Sequence, residues 1–451
     1  MIAHSLNPFR YGKPVPPDRF IGREDALRTV FARINNGEST AVVGAPHIGK
    51  SSFLRYIHDE RVRGNWLGKI ERYVFVDFDC HLLPESYQPA DFWREVLDRV
   101  AEAFPASPVL QQIEVVRQSG YGSFTLKRWF DLFGRAGNAI VLLVDEFDVL
   151  LGHPNFNTAE FFGALRSLAI QTDGLALVTS SRLPVAEMNR RSQEINSLGS
   201  PFFNNLIEVR LLPLRQAELD LLIDQALKGS SISFTPDDRA YIARASGRHP
   251  FLVQIACAAM FEAIAQSRGA PHQRTVIDSM LQSWALDHFE DVWRHLTPDA
   301  RRATLFLALM ERPATFDTSR LGNLAQYDTD MRWLTEGGLI VTTDNVRCAT
   351  WRGEHWRINA ESFAHWIVDN HKWEDVEGQA TVPQPDATER AERVAALRKK
   401  LNALHKRLNQ RELQIALLGI NADPIVSTEI EELKREITAS ERELRRLGGR
   451  V

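Results

Sequence analysis

Cysteine is scarce. The 451-residue chain has three, Cys80, Cys257 and Cys348, far apart in sequence. Such spacing gives no disulfide framework and no thiolate pair at metal-ligand distance, so a reducing, cytoplasmic setting is the expectation. Long apolar runs are missing as well. No stretch approaches the roughly 18 uninterrupted apolar residues of a spanning helix, and the opening MIAHSLNPFRYGKP lacks the apolar core of a secretory signal. No membrane partner is expected. Nor is there an excess of one charge sign: the formal net charge is −4, which gives no global signature of nucleic-acid binding. Apolar residues make up 44% of the chain, and its length exceeds what one core holds, so roughly two or three domains are expected.

Residues Gly44 to Ser51 read GAPHIGKS and fit the phosphate-loop pattern GxxxxGK[ST] at each fixed position. The apolar run Thr40-Ala41-Val42-Val43 precedes them. Phe53, Leu54 and Ile57 follow at helical spacing, so the context is strand, loop, helix. Backbone N–H groups and the positive end of the helix would cradle a polyphosphate. Gly44 and Gly49 let the backbone approach it without a Cβ. The nucleotide-binding run is therefore Gly44, Ala45, Pro46, His47, Ile48, Gly49, Lys50, Ser51 and Ser52. Lys50 would reach the β- and γ-phosphates, and the Ser51 hydroxyl would hold Mg²⁺.

Two further strand ends carry chemistry. Ala139 to Glu146 reads AIVLLVDE, an apolar strand closing on adjacent acids, as in a Walker B element. Asp145 would hold Mg²⁺ through water, and Glu146 would orient and activate the attacking water. Leu175 to Arg182 reads LALVTSSR. Thr179 or Ser180 would touch the γ-phosphate or the water, and Arg182 would sense the phosphate charge. The alternative is an ordinary strand cap with a surface arginine. No Asn/Thr-Lys-x-Asp guanine-reading motif occurs, which favours ATP and ADP over guanine nucleotides.

The organisation follows from periodicity. From Ile21 to Leu214, apolar runs read as buried strands at Ala41–Val43, Tyr73–Phe78, Ala139–Val144, Leu175–Thr179 and Leu206–Leu211, with helical patterns between most of them. That alternation argues for an α/β fold with a parallel sheet covered on both faces. Arg215 to Leu296 shows only helical spacing. Thr297 to His371 opens on the N-cap and N1 signal Thr297-Pro298-Asp299. It continues with helical patterns and two short β-runs, Leu339–Thr342 and Val346–Thr350, around Asp344-Asn345. A last helix, Ala360–Val368, closes it. Helices followed by a hairpin read as a winged-helix domain.

The stretch 372–388, above all Asp375–Thr388 with Pro383 and Pro385, reads as a linker. Beyond it, 389–451 reads as an antiparallel helical hairpin. Val394, Leu397, Leu401, Leu404, Leu408, Ile415 and Leu418 mark one apolar stripe, and Val426, Ile430, Leu433, Ile437, Leu444 and Leu447 the other. The turn is Gly419 to Pro424. Two helices bury only a narrow seam, so a second copy or a partner protein is expected to complete it. A plain dimerisation coiled coil is the alternative.

Taken in order, FIGRE (Phe20–Glu24), GAPHIGKS, LLVDE (Leu142–Glu146), TSSR (Thr179–Arg182) and GRHP (Gly247–Pro250), with a winged-helix pattern behind, resemble the STAND class of AAA+-related signalling ATPases. The set is also similar to the archaeal-type ATPases allied to the origin-recognition initiators. The opening NPFRYGKPVPPDRFIGRE and the stretch Ser200–Leu214 have the look of prokaryotic members. The resemblance covers about residues 7 to 371. It implies a P-loop NTPase sheet of the ASCE/AAA+ type, a helical lid, a winged-helix domain and the terminal hairpin. It further implies that Ile21, Gly22 and Arg23 line the adenine site and that Pro250 on the lid packs near the base.

One departure is plain. STAND proteins often carry a histidine at the last winged-helix strand–helix junction, and here that junction reads Arg357-Ile358-Asn359-Ala360. No superhelical repeat array follows either.

Two functions are then in view. The first is an ATP-driven switch that hydrolyses slowly and governs assembly through the hairpin. The second is an initiator-like or transcription-regulating ATPase with the winged helix on DNA. The arginines of the third block (Arg301, Arg302, Arg312, Arg320, Arg332, Arg347, Arg352, Arg357) are matched by acids at similar density, where a DNA reader needs a basic stripe. The first hairpin helix is richer in cations, with Arg398, Lys399, Lys400, Lys406 and Arg407, which make either a solvated face or a surface for an anionic partner.

Overall fold

The computed structural model describes residues 6–104, 110–193, 201–267, 274–311 and 323–377, with Leu404 and Leu408 beyond them. Ser200, Arg312, Arg320 and nearly all of the expected hairpin lie outside the described residues. The chain divides into two compact units, Met1–Gln379 and Ala380–Val451. In the second, Leu404 and Leu408 are helical and buried, and both belong to the apolar stripe read for the first hairpin helix.

All five foreseen strands of the first block form: β1 (Thr40–Val43), β2 (Tyr73–Asp79), β3 (Ala139–Asp145), β4 (Leu175–Ser181) and β5 (Ile207–Arg210). They pair in parallel in the order β2-β3-β4-β1-β5. The near-continuous apolar runs of the central strands β1, β3 and β4 reflect burial on both faces. Alternate residues of β3 serve opposite cores. Ile140, Leu142 and Val144 meet Phe92, Trp93, Trp129 and Phe130 on one face. Val141 and Leu143 meet Val30, Phe31, Phe53 and Ile57 on the other. Each such large side chain contributes about 1.5–3 kcal/mol by leaving water.

β4 lies between β1 and β3. Val43 pairs with Ser181, and Val144 pairs with Thr179. The carboxyl ends of these three strands therefore meet at one edge, where ligands sit in open α/β sheets.

The second block is helical, with Gln216–Leu227, Pro236–Ser246, Pro250–Ser267, Arg274–Trp284 and Leu286–His295. Pro250–Ser267 is apolar nearly all round, and Val253, Ile255, Ala256, Cys257, Ala258, Ala259 and Met260 are all buried. It is the central helix of its block, which explains the absence of a polar face.

The third block starts where its cap signal lies. Thr297 Oγ1 accepts the Ala300 N–H at 3.0 Å, ahead of the helix Pro298–Glu311. Its hairpin differs from the sequence expectation. Three strands form, β6 (Ile340–Thr342), β7 (Ala349–Trp351) and β8 (Glu354–Ile358), in the order β6-β8-β7. The tight turn is Arg352-Gly353, not Asp344-Asn345. Both residues have positive φ (52° and 82°), as a two-residue primed turn requires. β6 pairs with β8 rather than with β7. The helix Glu361–Asn370 follows.

The opening of the presumed linker is also ordered. Trp373–Glu377 is helical, Trp373 and Val376 are buried, and Arg302 Nε donates to the Val376 carbonyl at 3.1 Å.

Candidate functional site

The loop after β1 turns sharply onto the helix Lys50–His58. Gly49 has φ 104°, and His47, in the loop, has φ 58°. An imidazole-bearing residue in that region is strained by order 1–3 kcal/mol and persists only when its surroundings hold it. Gly44 has no room for a Cβ, which would lie 2.7 Å from Ile48 Cγ2 and 3.0 Å from the Leu211 carbonyl oxygen.

Lys50 is 5% exposed. Its ammonium donates to the Gly44 and Ala45 carbonyls at 3.1 and 3.2 Å and has no carboxylate partner among the described residues. Burial pushes its pKa down, and the nearby Glu146 and Asp148 oppose that.

Beside the loop stand the ends of β3 and β4. Ser180 Oγ donates to Asp145 Oδ1, and the Glu146 N–H reaches both Asp145 Oδ1 and Ser180 Oγ at 3.1 Å. Of the two hydroxyls the sequence left open, Ser180 is thus engaged by Asp145, while Thr179 Oγ1 is buried without a hydrogen-bond partner among the described residues. Glu146 sits at φ 51°. Its carboxylate lies 3.4 Å from Arg182 Nε and 3.8 Å from His81 Nε2. Arg182 also approaches His295 Nε2 at 3.4 Å.

A cavity of about 370 Å³ adjoins the loop and is lined by Pro46 through Ser52, Ile21, Arg23 and Pro250, with Glu146 and Arg182 reaching it. That volume falls in the usual range for small-molecule sites. Gly22, Gly44, Ala45 and Asp145 are not among its lining residues. At Gly22 (φ 72°) a Cβ would collide with the Glu218 carboxylate. That carboxylate accepts the backbone N–H groups of Arg23 at 3.0 Å and Arg215 at 2.7 Å. The Arg23 guanidinium is taken up by the carbonyls of Leu212 and Ile48. Burial lowers its pKa to about 10.

A second cavity, of about 420 Å³, shares Pro46, Glu146 and Arg182 with the first and extends to Gly247, Gly338 and Asn359. The Asn359 amide donates to the carbonyls of Gly247 and Gly338 at 2.9 and 3.0 Å. At the junction where the resemblance leads one to look for a histidine, the chain has a clamp between the second and third blocks. Gly247 must be small there, since a Cβ would lie 2.7 Å from the Ala360 nitrogen.

Several contributors carried no sequence signal. His249 Nε2 donates to the Pro46 carbonyl at 3.1 Å. The His47 ring stacks on Phe251 at 4.8 Å and lies 5.3 Å from His288. The only hint was that GRHP starts a helix. Glu218 sits at N3 of its helix, but its N-cap is Arg215, which hides the usual capping pattern.

The residues present fit a nucleotide polyphosphate: a buried, uncompensated ammonium at a helix N-terminus, a glycine loop without room for Cβ, and a cavity of suitable size. No group of three or more His, Cys, Asp or Glu among the described residues could hold a metal by itself. A divalent ion would need phosphate oxygens and water to complete its shell. No described helix is long and apolar enough to cross a membrane.

Solved structures are similar to this chain. A Walker-type ATPase of Pyrococcus abyssi matches with a TM-score of 0.50 at 14% identity, over 80% of this chain and 99% of that one. The Aeropyrum pernix ORC2 protein, solved as ADPNP–ADP complexes, gives 0.47 at 13% identity, over 83% and 97%. The Aeropyrum pernix ORC1 protein in complex with DNA gives 0.36 at 16% identity, over 79% and 94%. No curated protein matches in sequence. Residues 34–312, more than half of the chain, match the family described as novel STAND NTPase 2, and the chain belongs to that family of P-loop NTPases.

Proposed function

We propose that the protein is an ATP-dependent switch that binds ATP and ADP with Mg²⁺ beside the phosphate loop, hydrolyses slowly, and uses the change to govern assembly with another protein or with itself. The buried Lys50 ammonium, held among the described residues by two carbonyls of its own loop, is the observation that carries the reading. A buried cation is costly unless an anion meets it. The β- and γ-phosphates supply that anion. Ser51 and Asp145 are the residues that would hold Mg²⁺, which supplies charge neutralisation at the transferring phosphoryl group. Ser180 fixes the Asp145 carboxylate through its hydrogen bond. Glu146, whose Oε2 faces Arg182 and His81, orients the attacking water and takes its proton at Oε1. Arg182, now paired with Glu146, has the position to turn to phosphate charge. Ile21 and Pro250 provide the apolar contacts for the base.

The switch rests on the joints around the loop. The helical block is the lid, tied to the loop through His249 and to the third block, read as the winged helix, through Asn359. A γ-phosphate that moves Arg182 also disturbs its contact with His295 of the lid. The helical hairpin is the partner-binding module. DNA binding is the less favoured reading, since Asp328 of the third block already takes both Arg332 and Arg352.

Calorimetry and a phosphate-release assay test this. Lys50→Ala should abolish ATP binding. Glu146→Gln should keep ATP and slow turnover by about 10²–10⁴-fold, the usual contribution of a positioned base. Equal ATP affinity in wild type and Lys50→Ala would refute the site. An unchanged rate in Glu146→Gln would move the base elsewhere.

A further inference from the structure

Residues 7–20 belong to the opening stretch that leads into FIGRE and lie ahead of the phosphate loop, yet they cross the mouth of the site. Apart from the short turn Pro17–Arg19 they form an irregular strap. One end is fastened to the helical block. Asn7 Nδ2 donates to the Ala258 carbonyl at 3.1 Å and to Glu262 Oε1 at 2.9 Å. Phe9, 5% exposed, stacks on Phe234 at 5.7 Å. The Arg10 N–H donates to Gln254 Oε1 at 3.1 Å. The Tyr11 ring stacks on Trp284 at 6.1 Å and meets the edge of Phe251.

The other end is fastened to the helix that follows the phosphate loop. The Val15 N–H donates to Ser52 Oγ at 3.1 Å, and Phe20 stacks on Tyr56 at 4.4 Å. Between the two anchors Gly12 turns at φ 86°, and Arg10 through Val15 line the 370 Å³ cavity. Of the other cations there, Lys50 and Arg23 are engaged by backbone carbonyls and Arg182 by Glu146, while Arg19 is exposed near the loop-side anchor. The side chains of Lys13 and Arg10 are exposed and have no ion-pair or hydrogen-bond partner among the described residues.

We propose that this strap is a clasp over the bound nucleotide, in which Lys13 meets phosphate charge and Tyr11 anchors the crossing. The proposal rests on the nucleotide reading above and adds to it a retention element outside the phosphate loop and the acidic strand end. A segment tied at both ends across a cavity must shift before the ligand leaves, so its effect belongs mainly to the release rate. A cation on an exposed segment adds a modest, salt-screened attraction that grows with the number of phosphates.

Stopped-flow release of fluorescent ATP, ADP and AMP analogues from the full chain tests it. Lys13→Ala should speed ATP release about fivefold, the size of an exposed ion pair. It should leave AMP release unchanged. Lys13→Glu should go further, and Lys13→Arg should restore the wild-type rate. Tyr11→Ala should speed release of all three alike, because it loosens the anchor rather than the charge. Wild-type release rates for ATP in both Lys13→Ala and Lys13→Glu would overturn the clasp. So would an equal effect on AMP, which would deny the phosphate contact. A wild-type chain that binds no ATP would refute the nucleotide reading itself, and the clasp with it.

Discussion

His288 gives the sharpest test of how the phosphate loop is held. It is 5% exposed, and its Nδ1 has no hydrogen-bond partner among the described residues. His249 lies 5.0 Å away, Phe251 5.1 Å and His47 5.3 Å. Burial first, and then the neighbouring His47, push its pKa down to about 3. The sign follows from linkage. The unfolded chain carries an ordinary imidazole, with a pKa of about 6.5, that takes up a proton as pH falls, while the folded protein does not. The stability contribution is therefore complete above about pH 6.5 and is lost progressively as pH falls toward the folded value. At pH 5.5 the loss is RT ln(1 + 10), about 1.4 kcal/mol; at pH 7.5 it is below about 0.1 kcal/mol.

His288→Phe keeps the ring and removes both titration and the orphaned nitrogen. Urea unfolding at the two pH values, wild type against variant, should show the wild type losing about 1.4 kcal/mol more than the variant on acidification. Any packing penalty of the larger ring is the same at both pH values and cancels in the difference. Parallel pH profiles would refute the reasoning, because they would mean that His288 is hydrated or charged in the folded state.

Two further outcomes follow from the same geometry. Gly22→Ala should cost about 2 kcal/mol in denaturant unfolding, since it forces a Cβ into the left-handed region and displaces Glu218 from the backbone of Arg23 and Arg215. A chain ending at Gln379 should bind ATP with unchanged affinity by calorimetry, because every residue lining the cavity precedes it. Loss of binding would place part of the site in the second unit.

What the sequence made legible was local chemistry. The phosphate loop announces itself because glycines, a lysine and a serine must fall within one turn of chain. The central parallel strands β1, β3 and β4 do so because burial on both faces leaves almost no polar alternation to confuse them. β8 was missed for the opposite reason. Glu354-His355-Trp356-Arg357-Ile358 is half-exposed and polar at alternate positions, too short to rise above its surroundings. The presumed linker began too early because the buried Trp373 and Val376 stand alone among acids.

The long-range partners had no spacing to reveal them. Arg23 N–H with Glu218, Pro46 with His249, and Val15 with Ser52 are each joined by a hydrogen bond between distant segments. Arg23 shows the consequence for a family motif. The resemblance places it at the adenine site, and it does line the cavity, but its guanidinium is spent on the carbonyls of Ile48 and Leu212. Its charge is therefore tied to the phosphate loop and to the segment after β5. The motif around it works as a joint: Gly22 admits the Glu218 carboxylate, Glu218 orders the first turn of the helical block, and Arg23 carries that order to the loop. In the proposed switch, a nucleotide that shifts the loop would act directly on the attachment of the helical block, through residues that need not touch the base.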